Sequence, residues 1–237
     1  MVSGSVGHDG SEYLDRLKEK GVNISLVKQH DHDVTPTAIV GTDSDERQIT
    51  FFHPGADRET KGPDIASVKD DVAYVLISPH SATSMMETAQ YCQHHSVPYI
   101  FDPGQNILIF SPDDLRRMVQ GSNSLIVNSY EWKLLSDALN WSVDEVLQYT
   151  GFLVVTHGEH GLGIQTREES IVIEAVPAAK LVNPTGAGDA LRAGLVTGLA
   201  YGWEPRDAGR LGAALASFVV EEEGTQLEKF KIGRAHV

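Results

Sequence analysis

The sequence predicts an α/β fold with a mainly parallel sheet that is covered by helices on both faces. From residue 72 onward, apolar strands (VAYVLI, PYIFD, SLIVN and GFLVVT) alternate with helical stretches near 81–95, 112–120, 129–138 and 142–149. Strands that are apolar throughout indicate a parallel sheet buried on both faces. A hairpin-like stretch at 162–174 and closing helices near 187–201 and 205–222 complete the pattern.

The first part of the chain predicts a different local organisation. Residues 11–20 place apolar side chains at helical spacing, and Gly21 is typical of the residue that ends a helix. Three strand-like pieces follow (VNISLVK, TPTAIVGTD and RQITFFH), joined by the polar turns QHDHDV and DSDE. Short strands joined by polar turns favour a local antiparallel β unit over about residues 22–53.

Composition excludes several classes of protein. The net charge is 19 − 33 = −14, and an acidic chain of this kind argues against nonspecific binding to nucleic acid. The longest apolar runs are about six residues, far below the ~20 that span a membrane, so we expect no membrane contact. Cys92 is the single cysteine, which permits no intramolecular disulfide and favours a reducing, cytoplasmic location.

Three polar clusters follow strand-like segments. They are NSYE after SLIV, THGEHG after FLVV, and NPTGAGD after AAKLV. In open α/β sheets, ligands bind beyond the carboxyl ends of the strands. The three clusters together therefore predict one ligand site at that edge of the sheet.

The third cluster has the chemistry of an anion site. Gly186 and Gly188 permit backbone angles that expose consecutive N–H groups, and the apolar helical run that follows makes them a helix N-terminus. Asp189 lies in the first turn of that helix. On spacing alone, its carboxylate either complements the helix dipole or acts as a general base beside a bound phosphate.

Two other glycine-rich fingerprints do not fit. A phosphate loop of the P-loop type requires a lysine after its second conserved glycine, and none follows here. A dinucleotide fingerprint requires a third glycine where Leu191 stands, and its acidic partner should end a strand, whereas Asp207 begins a predicted helix. A dehydrogenase is therefore disfavoured.

The segment NPTGAGDALRAGLVTGL resembles the second signature of the ribokinase-like (pfkB) family of sugar and nucleoside kinases. Other segments agree in order over about residues 2–230: the strands that end in HPGA resemble the family's lid, NSYEW its Asn-x-x-Glu motif, and VVTHGEHGLGI its Thr-x-Gly-x-x-Gly nucleotide loop. FDPGQNILIFSPDDL, GDALRAG and the late GTQ look most like bacterial adenosine-kinase-type members. The resemblance implies a three-layer ribokinase-like sandwich with a small antiparallel β lid.

The resemblance also implies roles for individual residues. Asp189 would be the base that deprotonates the attacking hydroxymethyl group, and the amides of Gly186, Ala187 and Gly188 would bind the transferring phosphoryl group. Asn128 and Glu131 would hold Mg²⁺ largely through water. The residues implied to bind ATP are Asn128, Thr156, Gly158, Gly161 and Thr185.

Departures from the family pattern qualify these expectations. Asn183 replaces the usual aspartate near the monovalent-cation site, which puts activation by K⁺ in doubt. Leu191 replaces the usual phenylalanine, which we interpret as a change within the core. The family's first strand and first glycine-rich signature have no counterpart, so we expect the chain to be truncated at its N-terminus and to be inactive alone.

These expectations divide the chain into four parts: 1–21 as the start of the large domain, 22–56 as the lid, 57–230 as the nucleotide-binding and catalytic domain, and 231–237 as a non-native tail. The last part, KIGRAHV, resembles a translated sequencing adapter. The resemblance further implies that the lid excludes water and pairs with a second subunit in a homodimer.

The expected function is ATP-dependent phosphorylation of the hydroxymethyl group of a nucleoside, with adenosine converted to AMP. Two alternatives stay open: a kinase for ribose, fructose or another free sugar, and a non-catalytic nucleotide-binding module. Among other polar groups, His30 to Asp33 indicate a solvated turn rather than a metal cluster, and Cys92 indicates a buried helix position. For Arg192 the sequence leaves two alternatives open: a contact with a phosphate or a partner, and a surface ion pair.

Overall fold

The computed structural model describes residues 1–42 and 48–227. The chain divides into two compact units, one formed by Met1–Val72 with Ser78–His95 and the other by Ala73–Ile77 with the chain from Ser96 onward. The expected non-native tail, 231–237, lies outside the described residues.

The strands and helices alternate much as the sequence predicts. The strands are β1 Ser3–Gly7, β2 Leu26–His30, β3 Thr37–Thr42, β4 Gln48–His53, β5 Val75–Ile77, β6 Tyr99–Phe101, β7 Ser124–Asn128, β8 Phe152–Thr156, β9 Leu162–Gln165 and β10 Ser170–Ile173. The α-helices are α1 Ser11–Glu19, α2 Ala82–His95, α3 Pro112–Val119, α4 Ser129–Leu139, α5 Val143–Val146, α6 Ala187–Ala200 and α7 Pro205–Val219. Within the two described stretches, no helix combines the length and apolar character that crossing a bilayer requires.

The structure of the first unit shows that the prediction of an antiparallel β unit over about residues 22–53 is partly wrong. Among the described residues of this unit, only β3 and β4 pair antiparallel, with Thr37 opposite His53, whereas β2 pairs parallel with β1. The segment SGSVG carries too little apolar pattern to indicate a strand. Parallel pairing needs a crossover between the two strands, and α1 supplies it here, so the pairing of β2 could not be read from its local sequence.

The second unit contains the predicted sheet. Its six strands lie in the order β10-β9-β8-β7-β6-β5. The four strands from β5 to β8 are parallel, and β9 and β10 add an antiparallel hairpin beside β8. The mainly parallel sheet and the hairpin at 162–174 are therefore confirmed.

Both faces of this sheet are buried. Ile126 and Val154 belong to a core cluster that includes Leu191 and Leu195 of α6. The alternate residues, such as Leu125 and Leu153, are equally buried and point to the opposite face, and α4 contacts both β7 and β8. The interpretation of Leu191 as a core residue is confirmed.

One predicted strand is absent. The segment AAKLV, residues 178–182, is irregular, and Leu181 is 66% exposed. It is held by its backbone instead, because the amides of Val182 and Asn183 donate to the carbonyl of Val220 at 2.8 and 3.1 Å. The segment does not join the sheet, which ends at β10 on that side.

Candidate active site

The first two polar clusters lie side by side at the carboxyl edge of the sheet. β7 and β8 are parallel neighbours, and Asn128 is paired in register with Thr156. The hydroxyl of Ser129 lies 2.7 Å from Nδ1 of His157, which joins the two clusters through their side chains. The prediction that these motifs meet is therefore confirmed.

The Asn-x-x-Glu motif forms a capping box at the start of α4. Oδ1 of Asn128 accepts the backbone N–H of Glu131 at 2.8 Å, and Oε2 of Glu131 accepts the backbone N–H of Asn128 at 2.8 Å. Glu131 is buried, with 7% of its surface exposed. The motif thus has a structural role in the helix end, in addition to any role toward a ligand.

The nucleotide loop implied by the sequence follows β8 as a tight turn. The amide of His157 donates to the carbonyl of Gly161 at 2.8 Å, which closes the loop. Gly161 has φ +87°, and a Cβ atom there would lie 2.1 Å from the carbonyl oxygen of Ile173. Gly158 and Thr156 are at least partly accessible to solvent. The loop shape therefore depends on glycine at the position of Gly161.

The third cluster begins α6 as predicted. Gly186 has φ +92° and is the N-cap residue, and Asp189 lies exposed in the first turn. The amide of Ala187 donates to the carbonyl of Pro184 at 3.2 Å. A Cβ atom on Gly186 would lie 2.8 Å from the carbonyl oxygen of Thr225, so the GTQ segment packs directly on this turn.

Asn183 shapes the loop that leads into this turn. Its side-chain amide donates to the carbonyl of Glu223 at 3.0 Å, and its side-chain carbonyl accepts the amide of Thr185 at 2.9 Å. The residue that departs from the family pattern therefore holds the chain ahead of α6 by neutral hydrogen bonds.

Arg192 and Asp102 form a buried ion pair that sequence reasoning missed. Nε and Nη2 of Arg192 donate to the two carboxylate oxygens of Asp102 at 2.6 and 2.8 Å, and the two side chains are 13% and 4% exposed. Nη1 of Arg192 also donates to the carbonyl of Gly188 at 3.2 Å. Arg192 is therefore not in a surface ion pair. The available signal was the position of Asp102, directly after β6 at the carboxyl edge of the sheet.

The electrostatics connect Arg192 to the rest of the site. Burial by itself would lower the pKa of Arg192, but attraction to Asp102 and the hydrogen bonds with it raise the pKa, with smaller contributions from Glu131 and Asp189. Glu131 on α4 and Asp189 on α6 therefore lie within electrostatic reach of the same guanidinium. Arg192 itself ties the start of α6 to Asp102, which follows β6, the neighbour of β7 in the sheet.

The residues present fit a magnesium ion that is held mainly by water and phosphate. Within residues 1–42 and 48–227, no group of three or more His, Cys, Asp and Glu side chains is arranged to hold a metal ion. One carboxylate oxygen of Glu131 is used in the capping box, which leaves the other for an outer ligand. Mg²⁺ commonly keeps several waters and uses one or two carboxylates together with substrate phosphates.

Comparison with known proteins finds one matching family and several similar kinases. The profile of the pfkB family carbohydrate kinases matches residues 1–230. A nucleoside kinase of Methanocaldococcus jannaschii is 34% identical over 226 residues, which are 93% of this chain and 73% of that protein. A ribokinase of Lactococcus lactis is 26% identical over 235 residues, which cover 94% of this chain and 73% of that protein.

Solved structures agree with this result. The nucleoside kinase of Burkholderia thailandensis in complex with inosine has a TM-score of 0.86 at 33% identity, covering 94% of this chain and 74% of that chain. The same kinase in complex with ADP-inosine has a TM-score of 0.85 at 33% identity, covering 94% and 70%. A family profile that spans nearly the whole chain, a matching fold and an ordered set of motifs lead to one conclusion: the protein belongs to the pfkB family of carbohydrate kinases and is a sugar or nucleoside kinase with the ribokinase fold.

Proposed function

We propose that the protein transfers the γ-phosphoryl group of ATP to the hydroxymethyl group of a nucleoside. The observation that carries this proposal is the gathering of the motifs at one edge of the sheet. Asn128 lies in register with Thr156, and Arg192 joins Gly188 at the start of α6 to Asp102 after β6, the neighbour of β7. The start of α6, which carries Asp189, is thereby tied to the edge of the sheet that carries the motifs after β7 and β8. The relatives that are 33–34% identical are nucleoside kinases, one of them solved with inosine and with ADP-inosine, and they support the same assignment.

In this reaction the protein supplies position and charge rather than a covalent intermediate. We propose that Asp189 takes the proton from the attacking hydroxyl group and that the start of α6 stabilises the charge that develops on the phosphoryl oxygens. Mg²⁺, held through Glu131 and Asn128, would neutralise charge on the phosphates. The remaining proposed contacts are Gly186, Ala187 and Gly188 with the phosphoryl group, and Thr156, Gly158, Gly161 and Thr185 with ATP.

A panel of acceptors tests the substrate class. The full-length enzyme is incubated with Mg-ATP and adenosine, inosine, ribose or fructose, and the phosphorylated products are quantified. We expect nucleoside monophosphates as the products and adenosine as the preferred acceptor. A higher kcat/KM for ribose or fructose than for either nucleoside would instead make the protein a free-sugar kinase. ATP binding by calorimetry without transfer to any acceptor would indicate a nucleotide-binding module.

The variant Asp189→Asn tests the proposed base. Loss of general-base catalysis lowers a rate by about 100- to 10,000-fold, so we expect turnover to fall by that amount while the melting temperature changes little. Asp207→Asn is the matched control, because Asp207 is also an exposed acid in the first turn of a helix, α7. Equal turnover in the two variants would mean that Asp189 is not the base and only complements the helix dipole.

We also propose that the β3–β4 hairpin joins two copies of the chain. It exposes large apolar side chains, with Ile39 at 66%, Ile49 at 67% and Phe51 at 68%. Exposed apolar patches of this kind mark interaction surfaces, and a two-stranded sheet leaves both edges open for pairing. Sedimentation analysis should give a dimer that Phe51→Glu converts to a monomer. A monomeric wild-type chain would contradict this proposal.

Two further expectations stay predictions. Dependence on K⁺ is expected to be weak, since Asn183 carries no charge and both ends of its amide bond the chain itself. A cytoplasmic location is proposed from the single cysteine of the sequence.

A further inference from the structure

We propose that Asp102 and Arg192 form a clamp that positions the phosphoryl-binding turn. Arg192 acts as a positioning residue through the carbonyl of Gly188, and Asp102 holds the guanidinium of Arg192 in place. This inference rests on the proposed function, in which the turn at Gly186 to Gly188 receives the transferring phosphoryl group. It assigns a role to Asp102, which none of the three polar clusters contains.

The geometry of the clamp leaves the guanidinium little freedom. Its two parallel bonds to Asp102, at 2.6 and 2.8 Å, fix the plane of the fork, and a third bond at 3.2 Å reaches Gly188. A bidentate pair has directional specificity that a single point charge lacks. Asp102 follows β6, whereas Gly188 lies in the first turn of α6. The clamp therefore ties the start of the catalytic helix to the sheet.

Stability alone is a weak explanation for this pair. Two charges that leave water lose solvation, and an apolar pair of similar volume often stabilises a fold equally well. The fork of Arg192 does something that an apolar pair cannot do, since it donates to a backbone oxygen next to Asp189. Such a contact affects the reaction by placing a reacting group accurately, because a 1 Å error in position can cost about 100-fold in rate.

The charges around the clamp define how it must be tested. Arg192 lies within electrostatic reach of Asp102, Glu131 and Asp189. Removing Arg192 alone would leave the buried carboxylate of Asp102 without its ionic partner and would make the site more negative by one charge. Removing Asp102 and Arg192 together takes away one negative and one positive charge, so the net charge of the site stays the same.

The test is the charge-neutral double variant D102L/R192M. Hydrogen exchange of the amides around Gly188 and Asp189 is compared with that of the wild type, and kcat and KM for ATP are measured separately. We expect exchange about tenfold faster in this segment, because the turn opens more often without the clamp. We also expect kcat to fall about 100-fold with KM for ATP nearly unchanged, as for an interaction that acts in the transition state.

The control is E169L/R206M, which removes an exposed ion pair of the same unit, at 2.9 Å. It should leave exchange and kcat at wild-type values. The single variant R192K keeps the charge but loses the fork, so it should not restore kcat. Wild-type exchange in D102L/R192M, or full kcat in that variant or in R192K, would overturn the clamp. If the wild type phosphorylates no acceptor, the proposed function fails, and the exchange experiment still decides the clamp.

Discussion

The substitution Gly161→Ala is a direct test of how the loop after β8 is built. Gly161 has φ +87° and ψ −137°, a region that residues with a side chain rarely adopt. An added Cβ atom would lie 2.1 Å from the carbonyl oxygen of Ile173 and 2.6 Å from the amide nitrogen of Ala175. Both of these atoms belong to the backbone, so neither can rotate away as a side chain would.

The magnitude follows from two separate costs. A residue forced into this backbone region costs about 1–3 kcal/mol. Overpacking against a structure that cannot yield costs typically about 1–3 kcal/mol more. A total near 4 kcal/mol corresponds to a fall in melting temperature of roughly 8–16 °C, at about 2–4 °C per kcal/mol for a domain of 150–250 residues.

Gly158→Ala is the control within the same motif. Gly158 also has positive φ, at +58°, but a Cβ atom there would meet nothing within 4 Å. Only the left-handed backbone penalty of about 1–2 kcal/mol applies, which corresponds to roughly 2–8 °C. Replacing glycine with alanine lowers the conformational entropy of the unfolded chain. This effect is the same in both variants, so it cancels when their melting temperatures are compared.

Tryptophan fluorescence provides the assay, because Trp132, Trp141 and Trp203 all lie in the second unit together with the loop. Thermal unfolding of the wild type and the two variants is followed under identical conditions. A shift for Gly161→Ala that is no larger than the shift for Gly158→Ala would refute the reasoning, since the steric contact with Ile173 would then carry no cost.

Two further predictions concern a carboxylate and a thiol. Glu131→Gln should keep the capping box, which accepts glutamine, yet lower activity about 10- to 100-fold by weakening the hold on Mg²⁺. The control Glu145→Gln should keep the capping box of α5 and leave activity unchanged. Melting curves and a Mg²⁺ titration of turnover check this, and unchanged Mg²⁺ dependence in Glu131→Gln would contradict it. Burial raises the pKa of Cys92 from 9.0 to about 12, so the native thiol should react slowly with disulfide reagents until the protein is denatured. Between pH 9 and about 12 the unfolded chain holds fewer protons at this thiol than the native one, so stability should fall with rising pH in this window. Cys92→Ala should flatten that part of the curve, and rapid native labelling would show that the thiol is accessible.

Features that depend on local pattern were predictable from the sequence. The parallel strands β5 to β8 are short apolar runs, and each boundary of α2, α3, α4 and α6 lies within about two residues of its predicted position, as expected where helix ends are marked by caps and turns. The buried position of Cys92 and the core role of Leu191 follow from residue type at helical spacing. The neighbouring positions of Asn128 and Thr156 follow from the rule that parallel strands end at one edge.

Features that depend on distant partners were not predictable in this way. The strand β2 pairs with β1 rather than with β3, and the segment 178–182 does not form a strand. Asp102 and Arg192 are separated by 90 positions, and neither has a local signal for the other. The packing of Thr225 on Gly186 is equally remote in sequence.

By itself, the sequence determined the periodicity of the elements, the order of the motifs and hence the family to which they belong. Only the tertiary structure decided which carboxylate holds Arg192, which backbone groups shape the turn before α6, and that the Asn-x-x-Glu motif caps its own helix. The physical reason is that periodicity reflects local backbone geometry, so it can be recognised in the sequence without knowledge of distant residues. An ion pair or a turn contact forms only when the folded chain brings its members together and removes water from them.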